Sequence, residues 1–467
     1  SADNKGGDNR GGFTHIKSSC GINYRDMNEY IERVVDLTDP NQTELLNLTP
    51  DEARQRMLTG SLETVRDFDG SFALVSGEGS TVRLARSMDR PLRHFIAKLV
   101  DGPCLVVADR VDSIHAWLVE KGMDGQFHPY YTRMVPAHYV TQLQLVGCPD
   151  PTPTFERFFD PPRGTATDDL ETLGEAYVRA AYDEIRKWID HRASEGPLGV
   201  CFSGGIDSGA VFLLTLRALL EHGDVPTRLK AFTLAVDGGG ADVDRARSFL
   251  EQLDLGLYHE TIAVSSADLD WRETVRAVED YKPLDIEAAT MGLALVRGIR
   301  KRYPEWEYLL DGDGGDENLK DYPIEENPEL TIRSVLNNSM LYQEGWGVHS
   351  IKHSLTYSGG LSRSYARTYA PAALNGFDGF SPFTQPEVIR IAESIPFIEW
   401  TNWDHAELYE LKGRLVSAGI RALTGQEMPV FEKCRFQRGA VESDVFSSAF
   451  PTDAMEYRQA FNAIYAS

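Results

Sequence analysis

Short apolar runs alternate with turn residues through the first third of the chain. The runs are rich in Val, Leu, Phe and Ile and occupy residues 72–76, 82–85, 104–108 and 138–145. Runs of this length between turn signals are typical of strands that hairpins join. The pattern predicts an antiparallel β-rich domain over residues 20–164. Residues 1–19 are polar and contain several glycines, so we expect them to form a flexible leader.

Prolines mark the end of this domain. Residues 149–153 read PDPTP, and residues 160–164 read DPPRG. Because proline continues neither a helix nor a central strand, we place the domain boundary here. The second domain is expected to span residues 165–467.

Apolar runs and helical periodicity alternate in the second domain. Strands are predicted at 198–202, 229–236, 259–264 and 308–310, and helices at 168–193, 209–221, 241–253, 271–280 and 290–302. This alternation predicts an α/β fold with a doubly wound parallel sheet. Beyond about residue 318 the pattern is mainly helical, most clearly at 387–394 and 405–423. Residues 345–380 show no assignable pattern.

The charge balance limits the classes of partner. The net charge is −24, whereas nucleic-acid-binding proteins normally present a clustered basic face. No apolar run reaches the roughly 18 to 20 residues of a membrane-spanning helix. The five cysteines form no CxxC pair that would indicate zinc. We therefore expect a cytoplasmic protein with a small-molecule substrate and no nucleic-acid or membrane partner. A homodimer is an open alternative to a monomer.

A glycine-rich turn follows the predicted strand 198–202 and carries the first candidate chemistry. It reads Ser203-Gly204-Gly205-Ile206-Asp207-Ser208. Two glycines let successive N–H groups and a helix N-terminus face an anion such as pyrophosphate. The two serine hydroxyls can donate to phosphate oxygens. Asp207 would repel a bare phosphate, so its presence indicates an intervening Mg²⁺.

A second acidic turn follows the predicted strand 308–310. It reads Asp311-Gly312-Asp313-Gly314-Gly315-Asp316-Glu317. Loops at the carboxyl ends of parallel strands share one crevice. We therefore expect Asp316 to meet Asp207 and to bind the same Mg²⁺. A solvated acidic turn or a calcium loop are the alternatives.

These two turns resemble motifs of a known family. The first resembles the PP-loop of the ATP pyrophosphatase superfamily, and LLDGDGGDE resembles the LSGEGSDE or TGYGSD segment of the asparagine synthetase and β-lactam synthetase family. Residues 376–383 (GFDGFSPF), 393–396 (ESIP) and 431–439 (FEKCRFQRG) extend the likeness. The resemblance implies that Lys433 is the catalytic lysine. It also implies ATP contacts at Phe202, Leu234, Asp311 and Gly312 in addition to the PP-loop.

The first domain is similar to the glutaminase half of asparagine synthetase. The similar segments are 68–74, 84–92 and 107–109. The resemblance implies an Ntn-hydrolase-like sandwich in which an N-terminal cysteine hydrolyses glutamine. Cys20 looks like a remnant of that cysteine, but nineteen residues precede it, so its nitrogen is an amide without basicity unless cleavage of the leader exposes it. We predict a degenerate domain without glutaminase activity, as in β-lactam synthetase.

The source of the attacking amine separates the functional hypotheses. The leading one is intramolecular amine attack on an acyl-adenylate, which gives a β-lactam in antibiotic or toxin biosynthesis. Asp313 and Glu344 are candidate general bases, with Tyr342 and Tyr357 as alternatives. The non-catalytic interpretations are a helix cap for Asp313 and an ordinary exposed side chain for Glu344. The second hypothesis is amidation by ammonia or another amine, as in asparagine synthetase. A catalytically silent binding or scaffold protein is the third.

Overall fold

The computed structural model describes residues 33–99, 102–145, 152–321, 331–337, 365–431 and 439–466. The leader, Cys20, Glu344 and Lys433 lie outside these ranges, as do Tyr342 and Tyr357. Predictions about them therefore stay predictions. Within the described ranges, no helix combines the length and apolarity needed to cross a membrane.

The described part of the first domain contains two four-stranded sheets and one short strand pair. Its strands are β1 (Arg33–Asp36), β2 (Glu44–Leu45), β3 (Gly70–Ser71), β4 (Ala73–Glu78), β5 (Thr81–Arg86), β6 (Arg93–Leu99), β7 (Gly102–Ala108), β8 (Arg133–Met134), β9 (Tyr139–Gln144) and β10 (Thr154–Arg157). The sheet orders are β1-β7-β6-β8 and β10-β9-β5-β4, and every pair except β1–β7 is antiparallel. The antiparallel β-rich character predicted from the sequence is confirmed, whereas the Ntn-hydrolase relationship stays a prediction.

The second domain is built on a five-stranded parallel sheet. Its strands are β11 (Leu198–Cys201), β12 (Leu229–Val236), β13 (His259–Val264), β14 (Tyr308–Leu310) and β15 (Asp378–Phe380), in the order β13-β12-β11-β14-β15. The predicted parallel sheet is confirmed. Strand β15 was not predicted, because its three residues, Asp-Gly-Phe, carry no apolar run.

Within the described residues, both domains contain helices. In chain order they are α1 (Pro50–Thr59), α2 (Leu62–Arg66), α3 (Val111–Glu120), α4 (Leu170–His191), α5 (Ile206–His222), α6 (Ala241–Gln252), α7 (Trp271–Val278), α8 (Pro283–Arg302), α9 (Gly315–Asn318), α10 (Ile332–Asn337), α11 (Ala370–Leu374), α12 (Pro386–Ser394), α13 (Phe397–Thr401), α14 (His405–Thr424), α15 (Ser443–Ala449) and α16 (Ala454–Ile464). Two predicted starts were wrong: α5 begins three residues and α8 seven residues before the predicted position. Pro283 occupies the first turn of α8, where its missing N–H costs nothing.

Capping residues explain where several of the helices near the two acidic turns begin or end. Asp404 accepts hydrogen bonds from the first-turn N–H groups of α14, and Asp169 does the same for α4. Gly223 and Gly425 end α5 and α14 in the left-handed conformation that favours glycine. End residues therefore account for both ends of α14, the start of α4 and the end of α5.

A buried carboxylate joins the two domains. Glu279 accepts the N–H groups of Val111 (3.0 Å) and Asp112 (2.9 Å), which open α3 in the first domain. The same carboxylate lies 3.3 Å from a guanidinium nitrogen of Arg93 and 3.3 Å from one of Arg110. The Arg93 and Glu279 side chains are 0% and 1% exposed. Because water cannot replace either partner, this ion pair ties the turn after α7 to the first domain.

Glu279→Gln is expected to lower the free energy of unfolding by about 3 kcal/mol, because it leaves the Arg93 guanidinium buried beside a neutral amide. Urea denaturation of both proteins measures this difference. The control is Glu273→Gln, whose ion pair with Arg297 is nearly half exposed and should contribute less than about 1 kcal/mol. Equal losses in the two variants would contradict the assignment of Glu279 as an interdomain anchor.

Candidate active site

The two acidic turns meet at the point where the sheet order reverses. Strand β11 lies at the centre, β12 and β13 extend to one side, and β14 and β15 to the other. In such sheets, ligands bind in the crevice outside the carboxyl ends of the two central strands. The turn containing Ser203 follows β11, and the turn containing Asp311 follows β14. Both therefore lie at the position where this fold class binds ligands.

The phosphate loop has a conformation that depends on glycine. Gly204 has φ +72°, and a Cβ there would lie 2.7 Å from the backbone nitrogen of Ala246 in α6. Gly205 precedes the first residue of α5, so Asp207 and Ser208 belong to its first turn. The hydroxyls of Ser203 and Ser208 lie 3.3 Å apart. The loop thus presents two hydroxyls and a helix N-terminus to the same crevice, which suits an anionic phosphate group.

The second loop contacts the phosphate loop directly. A Cβ on Gly312 would lie 2.8 Å from both the Cβ of Asp207 and the backbone nitrogen of Ser208. A Cβ on Gly315 would overlap the Asp207 carboxylate. Glycine at both positions is therefore required for this approach. The sequence prediction that Asp207 and Asp316 lie on one crevice agrees with this placement.

Lys412 connects the two predicted metal ligands. Its Nζ lies 2.5 Å from Asp207 Oδ2, contacts Asp316 Oδ1, and lies 3.4 Å from Asp321 Oδ2. The lysine side chain is only 2% exposed. Burial disfavours its charge, but the three carboxylates outweigh burial and raise the pKa of Lys412 well above its usual range. The ammonium is therefore a permanent positive charge at this site.

Close packing of two helices places Lys412 there. A Cβ on Gly174 of α4 would meet the carbonyl oxygen of Leu415, and a Cβ on Gly419 would meet the carbonyl oxygen of Gly174. These glycines let α4 and α14 approach closely. Lys412 was missed from the sequence, although it lies within the buried stripe that includes Leu408, Leu411, Leu415 and Val416. A lysine at a position where helical periodicity calls for an apolar residue is the signal that could have identified it.

The two aspartates fit a magnesium–nucleotide complex. One ammonium contacts a carboxylate oxygen of each, so a single cation can contact both. Mg²⁺ commonly binds one or two carboxylates and completes its shell with phosphate oxygens and water. No group of three or more His, Cys, Asp or Glu residues within the described ranges forms a protein-only metal centre. Asp207 and Asp316 would hold the ion, which would neutralise phosphate charge when bound.

A second pair of acids lies beside this crevice. Asp311 Oδ1 accepts the Ser381 hydroxyl (2.6 Å) and the N–H of Asp313 (2.9 Å), and Asp313 Oδ2 accepts the Thr368 hydroxyl (2.6 Å). Burial raises the pKa of Asp311 to about 7. Burial and the adjacent Asp311 raise the pKa of Asp313 well above its usual range, against the opposing charge of Arg367. The raised pKa values make the ionised forms of these two carboxyls stronger proton acceptors than an exposed aspartate.

The remaining predicted residues occupy different environments. The Phe202 and Leu234 side chains are buried in two separate apolar clusters, so only their backbone groups could meet a nucleotide. The chain on either side of Lys433 is described. Phe431 packs on the cluster that contains α5, and Gly439 lies against Asp242 at the start of α6.

Comparisons with known proteins agree with this arrangement. Residues 183–396 match the family model described as asparagine synthase. This match supports the asparagine synthetase family. The matched segment includes both loops and all five parallel strands, which fits a PP-loop-type ATP pyrophosphatase domain.

Individual relatives are distant. Asparagine synthetase (glutamine-hydrolyzing) 1 of Lotus japonicus is 25% identical over 174 residues, which are 36% of this chain and 28% of that protein. The chain thus matches little more than a quarter of that relative's length. A structure of NMN synthetase from Francisella tularensis, 15% identical, covers 52% of this chain and 96% of its own with a TM-score of 0.23. That score is too low to support a comparison of folds.

Gly315→Ala is expected to weaken nucleotide binding at least about tenfold, because the new methyl group would displace the Asp207 carboxylate from the second loop. Equilibrium binding of a fluorescent ATP analogue measures the effect. The control is Gly125→Ala, since nothing lies within 4 Å of a Cβ at that position. Unchanged nucleotide affinity in Gly315→Ala would show that contact between the loops is not needed for binding.

Asp311→Asn is expected to change how stability depends on pH. The native carboxyl keeps its proton up to about pH 7, whereas the unfolded chain releases it near pH 4, so this residue destabilises the native protein as pH rises between those values. The unfolding free energy of the variant relative to the wild type should therefore increase across that window, by about 4 kcal/mol at most. Denaturation at several pH values measures it, with Asp51→Asn at an exposed helix start as the control. A difference in unfolding free energy that does not change with pH would refute the raised pKa of Asp311.

Proposed function

We propose that this protein is an ATP- and Mg²⁺-dependent carbon–nitrogen ligase of the AMP-forming type. A substrate carboxylate attacks the α-phosphate of ATP, the bond to the β-phosphate breaks, and pyrophosphate leaves. An amine then attacks the acyl-adenylate carbon, loses a proton and displaces AMP. The product is an amide.

The observation that carries this proposal is the junction of the two loops at the topological switch point. Asp207 and Asp316 contact one buried ammonium there, beside a glycine turn that opens α5. This combination supplies N–H groups, hydroxyls and carboxylates on one crevice. It supports binding of a nucleotide whose triphosphate carries a divalent cation. The match of residues 183–396 to the asparagine synthase model supports the same reaction class.

Lys433 is assigned to charge stabilisation in this proposal. A lysine near the reacting acyl carbon would neutralise charge on the tetrahedral intermediate and on the departing phosphate. Its role rests on the resemblance of residues 431–439 to the family's lysine-containing element.

We favour an amine that belongs to the same substrate molecule. Holding amine and acyl-adenylate together can raise the effective concentration by several orders of magnitude, which helps to close a strained four-membered lactam. The proposed product is a β-lactam of antibiotic or toxin biosynthesis. Asp313 is the described candidate for the base, since burial raises the pKa of its carboxyl and so makes the ionised form a stronger proton acceptor. Glu344 is the second candidate.

Intermolecular amidation is the alternative that one observation favours. Asp313 is acidic, like the glutamate at the corresponding position of the asparagine synthetase motif, and unlike the tyrosine of the β-lactam synthetase motif. In that case ammonia or a second small amine would attack the same adenylate. The first domain would be without glutaminase activity in either case.

The decisive experiment is pyrophosphate release from ATP and Mg²⁺ with a panel of amino-dicarboxylates, followed by mass spectrometry of the products. Three conditions are compared: no added amine, ammonium, and glutamine. We expect a product that has lost one water without added amine, and no glutamate from glutamine. A product that requires ammonium would support the intermolecular alternative, and glutamate release would refute the degenerate first domain.

Asp207→Asn supplies the matched negative control for this assay, because it removes one carboxylate charge with almost no change in shape. It should reduce pyrophosphate release at least about a hundredfold. Asp244→Asn changes a largely exposed aspartate of α6 and should leave the rate unchanged. The wild-type protein could also release no pyrophosphate with any substrate of the panel or any added amine. In that case a catalytically silent binding or scaffold role would replace the ligase proposal.

A further inference from the structure

Lys412 is a fixed cation within a group of carboxylates. Its Nζ lies within ion-pair distance of carboxylate oxygens of Asp207, Asp316 and Asp321. The four side chains together carry a net charge of −2. One divalent cation balances that charge, whereas the three carboxylates without the lysine would carry −3.

Phosphate-transferring sites often balance the negative charge of their carboxylates and phosphates with two metal ions. The ions lie roughly 3.5–4 Å apart and share carboxylates that hold both of them. Here the position between Asp207 and Asp316 is already occupied by the Lys412 nitrogen, which contacts one oxygen of each. An ammonium at this position takes the place of one of the two cations without any metal.

We propose that Lys412 is a positioning residue that takes the place of a second metal ion and limits the phosphate site to one divalent cation. This inference rests on the proposed function, because it concerns the same nucleotide site. Lys412 also holds the two carboxylates together before the nucleotide arrives. The same oxygens can still bind a metal, since a carboxylate oxygen has two lone pairs and can accept from two directions.

A purely structural ion pair is the competing explanation, and the chain contains one for comparison. Lys320 pairs with Glu393 at 2.6 Å, and these side chains are 6% and 2% exposed. This pair joins the residues after α9 to α12. It has burial and chemistry similar to the Lys412 cluster, but it does not contact Asp207 or Asp316. Lys320→Met is therefore a matched control for loss of a buried lysine.

The experiment counts Mn²⁺ ions bound to the full chain with α,β-methylene-ATP, whose α–β linkage cannot be cleaved. Electron paramagnetic resonance measures free Mn²⁺, and a fluorescent competitor measures bound nucleotide. We expect one Mn²⁺ per bound nucleotide in the wild type and in Lys320→Met. Lys412→Met should bind two, because the missing charge is replaced by a second ion. Lys412→Arg keeps the charge and should return the number to one.

Each result has a distinct meaning. Two ions in the wild type, or one ion in a folded Lys412→Met that binds nucleotide, would overturn the role of Lys412 and leave the proposed ligase function intact. Failure of the wild type to bind the nucleotide at all would overturn both. Far-ultraviolet circular dichroism confirms folding of each variant. If both Lys412 variants fail to fold, the wild-type number alone decides, one ion supporting the proposal and two refuting it.

Discussion

The contact between the Asp207 carboxylate and the second loop is the constraint on which the candidate site depends. Asp207 lies in the first turn of α5, and its orientation follows from the glycine turn before that helix. Gly315 brings the second loop against the same carboxylate, and Lys412 of α14 holds it by an ion pair. Strand order alone would bring the loops to one edge of the sheet. The glycines and the lysine bring them into contact.

Most of the parallel sheet could be predicted because its strands are short, continuous apolar runs bounded by turns. The phosphate loop was predictable for a related reason, since a glycine-rich turn between a predicted strand and a predicted helix places N–H groups and a helix N-terminus around an anion. Strand β15 could not be found, because pairing with β14 rather than its own composition makes it a strand. The earlier start of α8 was missed because its first two turns contain a proline and two acidic residues, Asp285 and Glu287, rather than a continuous apolar stripe.

Lys412 and Asp311 show what local patterns cannot provide. Lys412 lies about 200 residues from Asp207 in sequence, and its environment is produced by the packing of α14 against α4. Asp311 was assigned to the nucleotide, yet its carboxylate accepts a hydroxyl from Ser381 in the segment after β15. The acidic pair that it forms with Asp313 depends on burial, which only the folded chain determines. Both residues therefore acquire their properties from distant segments.

The short π-helix Tyr365–Tyr369 connects the first domain to the candidate base. Thr368 donates to Asp313, and the next residue, Tyr369, donates to Gln42 (2.9 Å) and lies beneath the guanidinium of Arg90 at 4.4 Å. Removal of the first domain would uncover Tyr369 beside the Thr368 hydroxyl that Asp313 accepts, so the first domain acts as a scaffold for the segment that contacts this acid.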